Sequence, residues 1–270
     1  VFVTDSNSEY EKEYFETMPL QDDMWSRLFQ KWNNQRTWQH LRGQIDAKAR
    51  MLEVGPGNGS LLCFMRERGL NVEGCDLSQS ISEGIRQRHG IVMHNCAIEN
   101  ISNPTPCDLI VMNHVVEHLN NPVAFLKDVR NRLSEGGRIH IAVPNIACWE
   151  ALLPGWNSYE PYHLIYFTPA TLLQTVEKAG FSIIMITTHD SFSGWFLATL
   201  RTLLKTRQKS SQKRVSRREE RELSWIGHAY RLMMLLSGIA TYPLRLIQMA
   251  IDRGDEIVLV AKNNAEKTEC

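Results

Sequence analysis

The chain has 270 residues, 43% of them hydrophobic, and its 30 basic and 30 acidic side chains balance to a formal net charge of +0. That length and apolar content suffice for one full α/β core with appendages. A neutral total offers no global attraction to nucleic acid, and six cysteines without a C-x-x-C pair read as reduced thiols rather than a disulfide scaffold.

Val1 to Tyr14 is polar and acidic, so no secretory signal is expected and the chain reads as cytoplasmic. Residues 1–47 are predicted to form an N-terminal helical region. Trp25, Leu28, Phe29, Trp32, Trp38 and Leu41 recur there at roughly helical spacing, a stripe whose plainest use is packing. The run Met51-Leu-Glu-Val-Gly-Pro-Gly-Asn-Gly-Ser-Leu61 follows, an apolar strand that ends in an acid and turns through spaced glycines into an apolar helix. Such a turn brings the backbone close to a ligand and leaves N–H groups pointing at it from the helix start. Glu53, inside the strand end, would repel a bound pyrophosphate, so a cationic ligand suits this turn better. The helix, from Leu61 to Arg68, is closed by Gly69.

Asn71-Val-Glu-Gly-Cys-Asp-Leu77 reads as a second strand ending in Asp76, at the strand–helix–strand spacing of a nucleotide fold. A carboxylate there accepts two hydrogen bonds from the vicinal hydroxyls of a ribose. That device supports a nucleoside without choosing between a dinucleotide and another adenosyl ligand. His89, His94 and Cys96 match no common zinc spacing, and no metal is expected. Leu109 to Met112 runs without polar alternation, as a buried parallel strand does. A helix from Asn-Asn-Pro122 to near Leu133 is expected next, then a Gly136-Gly137 turn into the strand Arg138 to Pro144. Thr168-Pro169 opens a helix that ends at Gly180, before a strand from Phe181 to Thr188.

Between that strand and the last one, Glu256 to Ala261, lies a long excursion. Phe192 to Leu204 is apolar, Lys205 to Glu222 is charged and mainly basic, and Trp225 to Ile251 is apolar again. A membrane span is not expected, because the uncharged stretch from Leu232 to Leu244 falls short of about 20 residues and meets Pro243. Two readings stay open: a helical cap over a substrate cavity, or an amphipathic element that rests on a bilayer through 192–252. Met233 to Leu236 covers more than one helix face, which favours burial on both sides. The charged stretch by itself reads equally as a solvated loop.

Three of these segments carry a family resemblance. The acid and glycine triplet of 53–59, Asp76 at its distance, and the run from Cys107-Asp-Leu-Ile-Val through Asn113-His-Val-Val-Glu-His118 to Gly137-Arg-Ile-His-Ile-Ala-Val-Pro-Asn145 together resemble the class I S-adenosylmethionine-dependent methyltransferases. The closest likeness is to the small-molecule branch, of the ubiquinone O-methyltransferase type. The resemblance implies an α/β, Rossmann-like seven-stranded sheet with an N-terminal helical region and a helical insertion before the last strand. It divides the chain into an N-terminal lid (1–47), a cofactor-binding catalytic core (48–189), the insertion (190–254), a final core strand (255–263) and a tail (264–270).

It also implies S-adenosylmethionine as cofactor and S-adenosylhomocysteine as product. Glu53 would orient the amino-acid part of the cofactor, Gly55, Pro56, Gly57, Asn58 and Gly59 would form the close turn, and Asp76 with Leu77 would hold the ribose. Cys96, Ala97 and Ile98 fall where relatives contact adenine. Most relatives have an acid at the place of Cys96, and a thiol is a poor acceptor, so that bond passes to a backbone group or to Glu99. Asn113 and His114 fall beside the methionine part. Candidate bases are His163 and His118, with Glu117 as a partner, since histidine takes a proton near neutrality. Tyr159, Tyr162 and Tyr166 are candidates to line a substrate pocket, or simply to pack.

No Asp/Asn-Pro-Pro-Tyr/Phe follows the fourth strand to grip a flipped base, and no Pro-Cys offers a nucleophile to a pyrimidine. The basic residues of 205–222 are not interleaved with aromatics for base stacking. O-methylation of a small or lipid-linked molecule (a quinone precursor, a lipid-carried glycan or a natural product) is therefore the leading expectation, with no specific nucleic-acid partner. A nucleic-acid or protein methyltransferase, or a cofactor-binding subunit without catalysis, is the alternative. The acceptor, its reacting atom and the oligomeric state are not written in the sequence.

Overall fold

The computed structural model describes residues 24–102, 105–159, 163–191, 194–203 and 232–264. Its centre is a seven-stranded sheet in the order β3-β2-β1-β4-β5-β7-β6. The strands are β1 (Arg50–Val54), β2 (Asn71–Cys75), β3 (Val92–His94), β4 (Cys107–Asn113), β5 (Leu133–Pro144), β6 (Phe181–His189) and β7 (Glu256–Asn263). β1 pairs in parallel with β2 and β4, β2 with β3, and β4 with β5. Leu109, Ile110, Val111 and Met112 are fully buried, as an uninterrupted apolar strand between two parallel neighbours must be. Around the sheet lie α1 (Met24–Leu41), α2 (Ser60–Arg66), α3 (Gln79–His89), α4 (Pro122–Asn131) and α5 (Pro169–Lys178). The insertion before β7 contributes α6 (Gly194–Leu203), α7 (Leu232–Ala240) and α8 (Tyr242–Ala250). The expected seven-stranded α/β fold is present, with its N-terminal helix and late helical insertion.

The chain forms two compact units. One holds Val1–Val143, Ala170–Ile186 and Val258–Cys270; the other holds Pro144–Pro169 and Thr187–Ile257. In the first, Met51, Leu62, Met65, Ile85, Leu109 and Val260 belong to one apolar cluster. Polar bonds fix the register around it. Asp108 accepts from the Arg50 N–H at 2.9 Å and from the Ser134 hydroxyl at 2.9 Å, tying β4 to its neighbours on both sides. Glu73 pairs with Arg50 at 2.7 Å and with His94 at 3.0 Å, so His94 has a structural partner. In the second unit, Cys148, Ala151 and Trp156 form a smaller cluster.

Several boundaries move. β5 starts at Leu133, where the sequence suggested the end of a helix, and α4 stops at Asn131. Leu133 pairs with Cys107 and Arg138 with Leu109, so the residues between, including Gly136 at φ 71°, form a bulge within one strand rather than a turn before it. The aromatic stripe of α1 splits in two. Leu41 is buried and Trp38 packs on the core, whereas Leu28, Phe29 and Trp32 are about half exposed. The expectation that Met233 to Leu236 is buried on both sides fails: Met233, Leu235 and Leu236 are all exposed.

Candidate active site

The glycine turn joins β1 to α2. Gly55 and Gly59 both have left-handed backbones (φ 66° and 77°) that side chains rarely adopt. A Cβ on Gly55 would sit 3.1 Å from Val115, and one on Gly59 3.1 Å from Ile85, so a side chain at either position would also press on its neighbour. A Cβ on Gly57 would meet nothing within 4 Å, which leaves that point of the turn open. The exposed Asn58 accepts from the Ser60 N–H at 3.0 Å, and Pro56 is buried, its carbonyl accepting from the Gly59 N–H at 2.9 Å. On the other side of Ser60, Asn34 of α1 donates to its hydroxyl at 2.8 Å. The N-terminal helix is thus fastened at the head of the turn.

Val54, Gly55, Cys75, Asp76, Leu77, Cys96 and Val115 line one cleft at the ends of β1 and β2. Four of the predicted cofactor residues, Gly55, Asp76, Leu77 and Cys96, meet there. Asp76 is set by its own turn: its Oδ1 accepts from the Ser78 N–H at 2.8 Å, while Asn95 donates to the carbonyls of Asp76 and Leu77 at 3.0 and 2.8 Å. Leu77 is 37% exposed, an apolar surface suited to a sugar or base face. Cys96 is partly buried. Burial, and then the charge of Glu99, push its thiol pKa up, so it stays a neutral thiol at working pH. Ala97 and Ile98 are buried and do not share the cleft wall.

Glu53 lies beneath the turn, 4% exposed, and burial alone pushes its carboxyl up to about 8. Its Oε2 is buried without a hydrogen-bond partner among the described residues, as is Oδ1 of Asn113 at the end of β4. Two orphaned acceptors beside a glycine turn are costly unless a donor arrives. An ammonium is a donor that such acceptors could take, so these residues fit a cationic amino-acid group.

The chain leaves β4 through His114, whose left-handed φ of 55° is unusual for a residue with a side chain. Glu117 and His118 follow in a short 3₁₀ turn, Val116–His118, rather than in the first turn of α4. Both are buried, and Glu117 lies 3.3 Å from Nδ1 of His114. Burial works to raise the Glu117 pKa, but the His114 hydrogen bond and the charges of His114 and His118 outweigh it and hold the carboxyl below its ordinary value. Glu117 is therefore ionised near neutral pH.

In the second unit, His163 Nδ1 lies 2.9 Å from the Ser158 carbonyl. A carbonyl only accepts, so Nδ1 carries the hydrogen and the lone pair of the neutral ring sits on Nε2. Tyr166 packs edge-on against His163 and Tyr159, and Tyr159 against Trp156. The Tyr159 hydroxyl donates to the Ala151 carbonyl at 2.7 Å, so that ring is anchored as well as partly exposed. Tyr162 lies outside the described residues.

The sequence reading missed a polar cluster in this unit. Gln248 of α8, fully buried, donates to Glu150 at 2.5 Å and accepts from Trp195 at 3.1 Å. Burial, and then the charge of Asp255, push Glu150 up to about 7 and Asp190 up to about 8. The available signal was Arg245 and Gln248, three apart on an otherwise apolar helix, a spacing that puts both on one face.

Comparison with known proteins adds the following. A family model described as a methyltransferase domain matches residues 17–186. The chain is similar to a ubiquinone biosynthesis O-methyltransferase of Idiomarina loihiensis, 28% identical over 165 residues that cover 54% of this chain and 66% of that protein. It is also similar to a tRNA 5-carboxymethoxyuridine methyltransferase of Escherichia coli, 29% identical over 107 residues, 36% of this chain and 41% of that one. The matches thus span less than two thirds of either relative. Among solved structures, a SAM-dependent methyltransferase from Archaeoglobus fulgidus has the same fold, with a TM-score of 0.54 at 19% identity over 89% of this chain and 100% of that one.

Proposed function

The chain belongs to the methyltransferase-domain family, and we propose that it transfers a methyl group from S-adenosylmethionine to an oxygen of a small or lipid-linked molecule. The observation that carries the donor half is the buried Oε2 of Glu53, without a hydrogen-bond partner among the described residues, under the glycine turn. In this reading Glu53 and Asn113 receive the cofactor's ammonium, the turn from Gly55 to Gly59 lies against its amino-acid part, and Asp76 accepts from the ribose hydroxyls. Leu77 backs the sugar and base, and Glu99 or a backbone group replaces the acceptor that Cys96 lacks. The bound cofactor supplies a methyl group already activated by its sulfonium charge. Holding the two reactants in line supplies up to about 7–11 kcal/mol, and a base is needed only where the acceptor is a hydroxyl.

The Glu53 assignment has a pH signature. Its carboxyl holds a proton until about pH 8, whereas an ammonium is drawn to the carboxylate. Binding must therefore expel the proton, and affinity rises with pH as ionisation becomes easier. Between about pH 6 and 7, where the ligand's own α-amino group stays mostly charged, the dissociation constant for S-adenosylmethionine should fall roughly tenfold. Calorimetry in two buffers of different ionisation heat should show close to one proton released. Glu53→Gln removes both effects; a wild-type affinity independent of pH would take Glu53 away from the ammonium.

The O-methylation reading draws on the printed activity of the Idiomarina relative and on the capacity of a neutral histidine, His163 or His118, to take a proton from a hydroxyl. Its test is production of S-adenosylhomocysteine by the full chain with an alkyl-tailed catechol, and separately with bulk tRNA. Turnover on the catechol supports the reading. Turnover on tRNA alone would transfer support to the nucleic-acid alternative, which the Escherichia coli relative favours. Cofactor binding without turnover on any acceptor would favour a non-catalytic subunit.

A further inference from the structure

The helix pair before β7 wears its polarity inside out. From Leu232 to Ile251 the sole charged residue is Arg245, and it is turned inward, 5% exposed. Its guanidinium donates to the carbonyls of Ser191 and Gly238 at 3.2 and 3.3 Å. Gln248, one turn on, is fully buried against Glu150 and Trp195. The large apolar side chains point the other way: Leu232, Leu236, Ile239, Tyr242, Ile247 and Ile251 are each between 52% and 60% exposed. Scattered exposed leucines need no explanation, but a continuous apolar surface with its polar groups buried does.

We propose that α7 and α8 form a monotopic membrane anchor that sinks its outward apolar face into the anionic leaflet of a lipid bilayer. Among the described residues no single helix is long and apolar enough to cross a membrane, while this pair passes that test together, bent by 54°. Each helix, of nine residues, is only about 13.5 Å long against a hydrocarbon core of about 30 Å. A short, bent, apolar pair lies within one leaflet rather than through two.

Two observations select lipid over a protein partner. A protein interface surrounds its apolar centre with a polar rim, yet the exposed positions between 232 and 251 are all apolar, aromatic, proline or alanine. The same excursion between β6 and β7 also carries, from 205 to 222, eight Lys or Arg against three Glu, although the whole chain is neutral. Local positive excess of that kind complements an anionic surface and acts within a Debye length of it. The anchor stands apart from methyl transfer and holds whatever the acceptor proves to be.

The test is flotation of the full chain with phosphatidylcholine vesicles, with and without phosphatidylglycerol. Wild type should float with both kinds of vesicle, more with the anionic ones, and about 1 M salt should narrow that difference while leaving the apolar part of the binding. The double substitution Leu236→Asp and Ile247→Asp, at exposed positions, should weaken partitioning at least about tenfold while leaving S-adenosylmethionine binding intact. As a measurement that needs no variant, amide exchange over 232–251 should slow when anionic vesicles are added. Absence of flotation, equal flotation by the double variant, or unchanged exchange would overturn the anchor. So would wild type that self-associates without lipid, ignores vesicles, and becomes monomeric on the same double substitution; a second copy of the chain would then be the occupant.

Discussion

Replacing His163 by alanine is expected to lower kcat on a hydroxyl acceptor by roughly 10²–10⁴-fold, the usual range for loss of a positioned general base. The reason lies in its tautomer. The Ser158 carbonyl, 2.9 Å from Nδ1, fixes the hydrogen there and leaves the lone pair on Nε2. An imidazole so held is ready to take a proton without first reorganising. The pH profile should separate a base from a packing residue. In wild type saturated with S-adenosylmethionine, so that Glu53 ionisation no longer shows, log(kcat/KM) for the acceptor should climb with unit slope up to the pKa of the base and then level off. In His163→Ala that limb should vanish while the dissociation constant of S-adenosylmethionine stays unchanged. His163→Gln, which keeps a hydrogen-bonding side chain but cannot accept the proton, should behave like the alanine variant. Unchanged turnover in both would remove His163 from the chemistry. His118 would then be the candidate base, with the ionised Glu117 as its neighbour.

The second large effect is on the donor. Asp76→Ala should weaken S-adenosylmethionine binding by roughly 10–150-fold, the equivalent of about 1.5–3 kcal/mol for hydrogen bonds to a charged group. Asp76 lines the cleft beside Leu77 and Cys96, and its Oδ1 already accepts from the Ser78 N–H at 2.8 Å. Asp76→Asn can keep that local bond while losing the charge and one of the two acceptor oxygens. It should therefore fall between wild type and alanine in affinity and match wild type in thermal stability. An alanine variant that binds as tightly as wild type would mean that the ribose is held elsewhere. Equal losses in Asn and Ala variants that both melt early would point to a damaged α3 start rather than a lost contact.

Much of the donor half was legible because local chemistry dictates it. A buried apolar strand, a turn that only glycine can make, and an acid at the next strand end are each written in adjacent residues. Gly55, Asp76, Leu77 and Cys96 accordingly meet in one cleft. What the sequence concealed depends on partners far along the chain. The bulge that lets β5 begin at Leu133 follows from its pairing with Cys107, so Gly136-Gly137 read as a turn. The raised carboxyls of Glu150 and Asp190 arise from burial and from Asp255, a neighbour 65 or more residues away in the chain. The run Met233 to Leu236 suggested burial, since apolar residues usually flee water. Only the inward placement of Arg245 and Gln248 shows that this helix pair turns its apolar side outward. For the acceptor half, residues carry less. Tyr159 and Tyr166 pack with Trp156 and His163, an arrangement that serves structure and a pocket wall equally.

The central claim is that the cleft beside the glycine turn is an S-adenosylmethionine site, and titration calorimetry of the full chain with S-adenosylmethionine tests it most directly. One site per chain with a dissociation constant on the order of 1–100 μM is the result expected, with S-adenosylhomocysteine competing for it. No detectable binding at high micromolar ligand, by a chain shown to be folded, would contradict it.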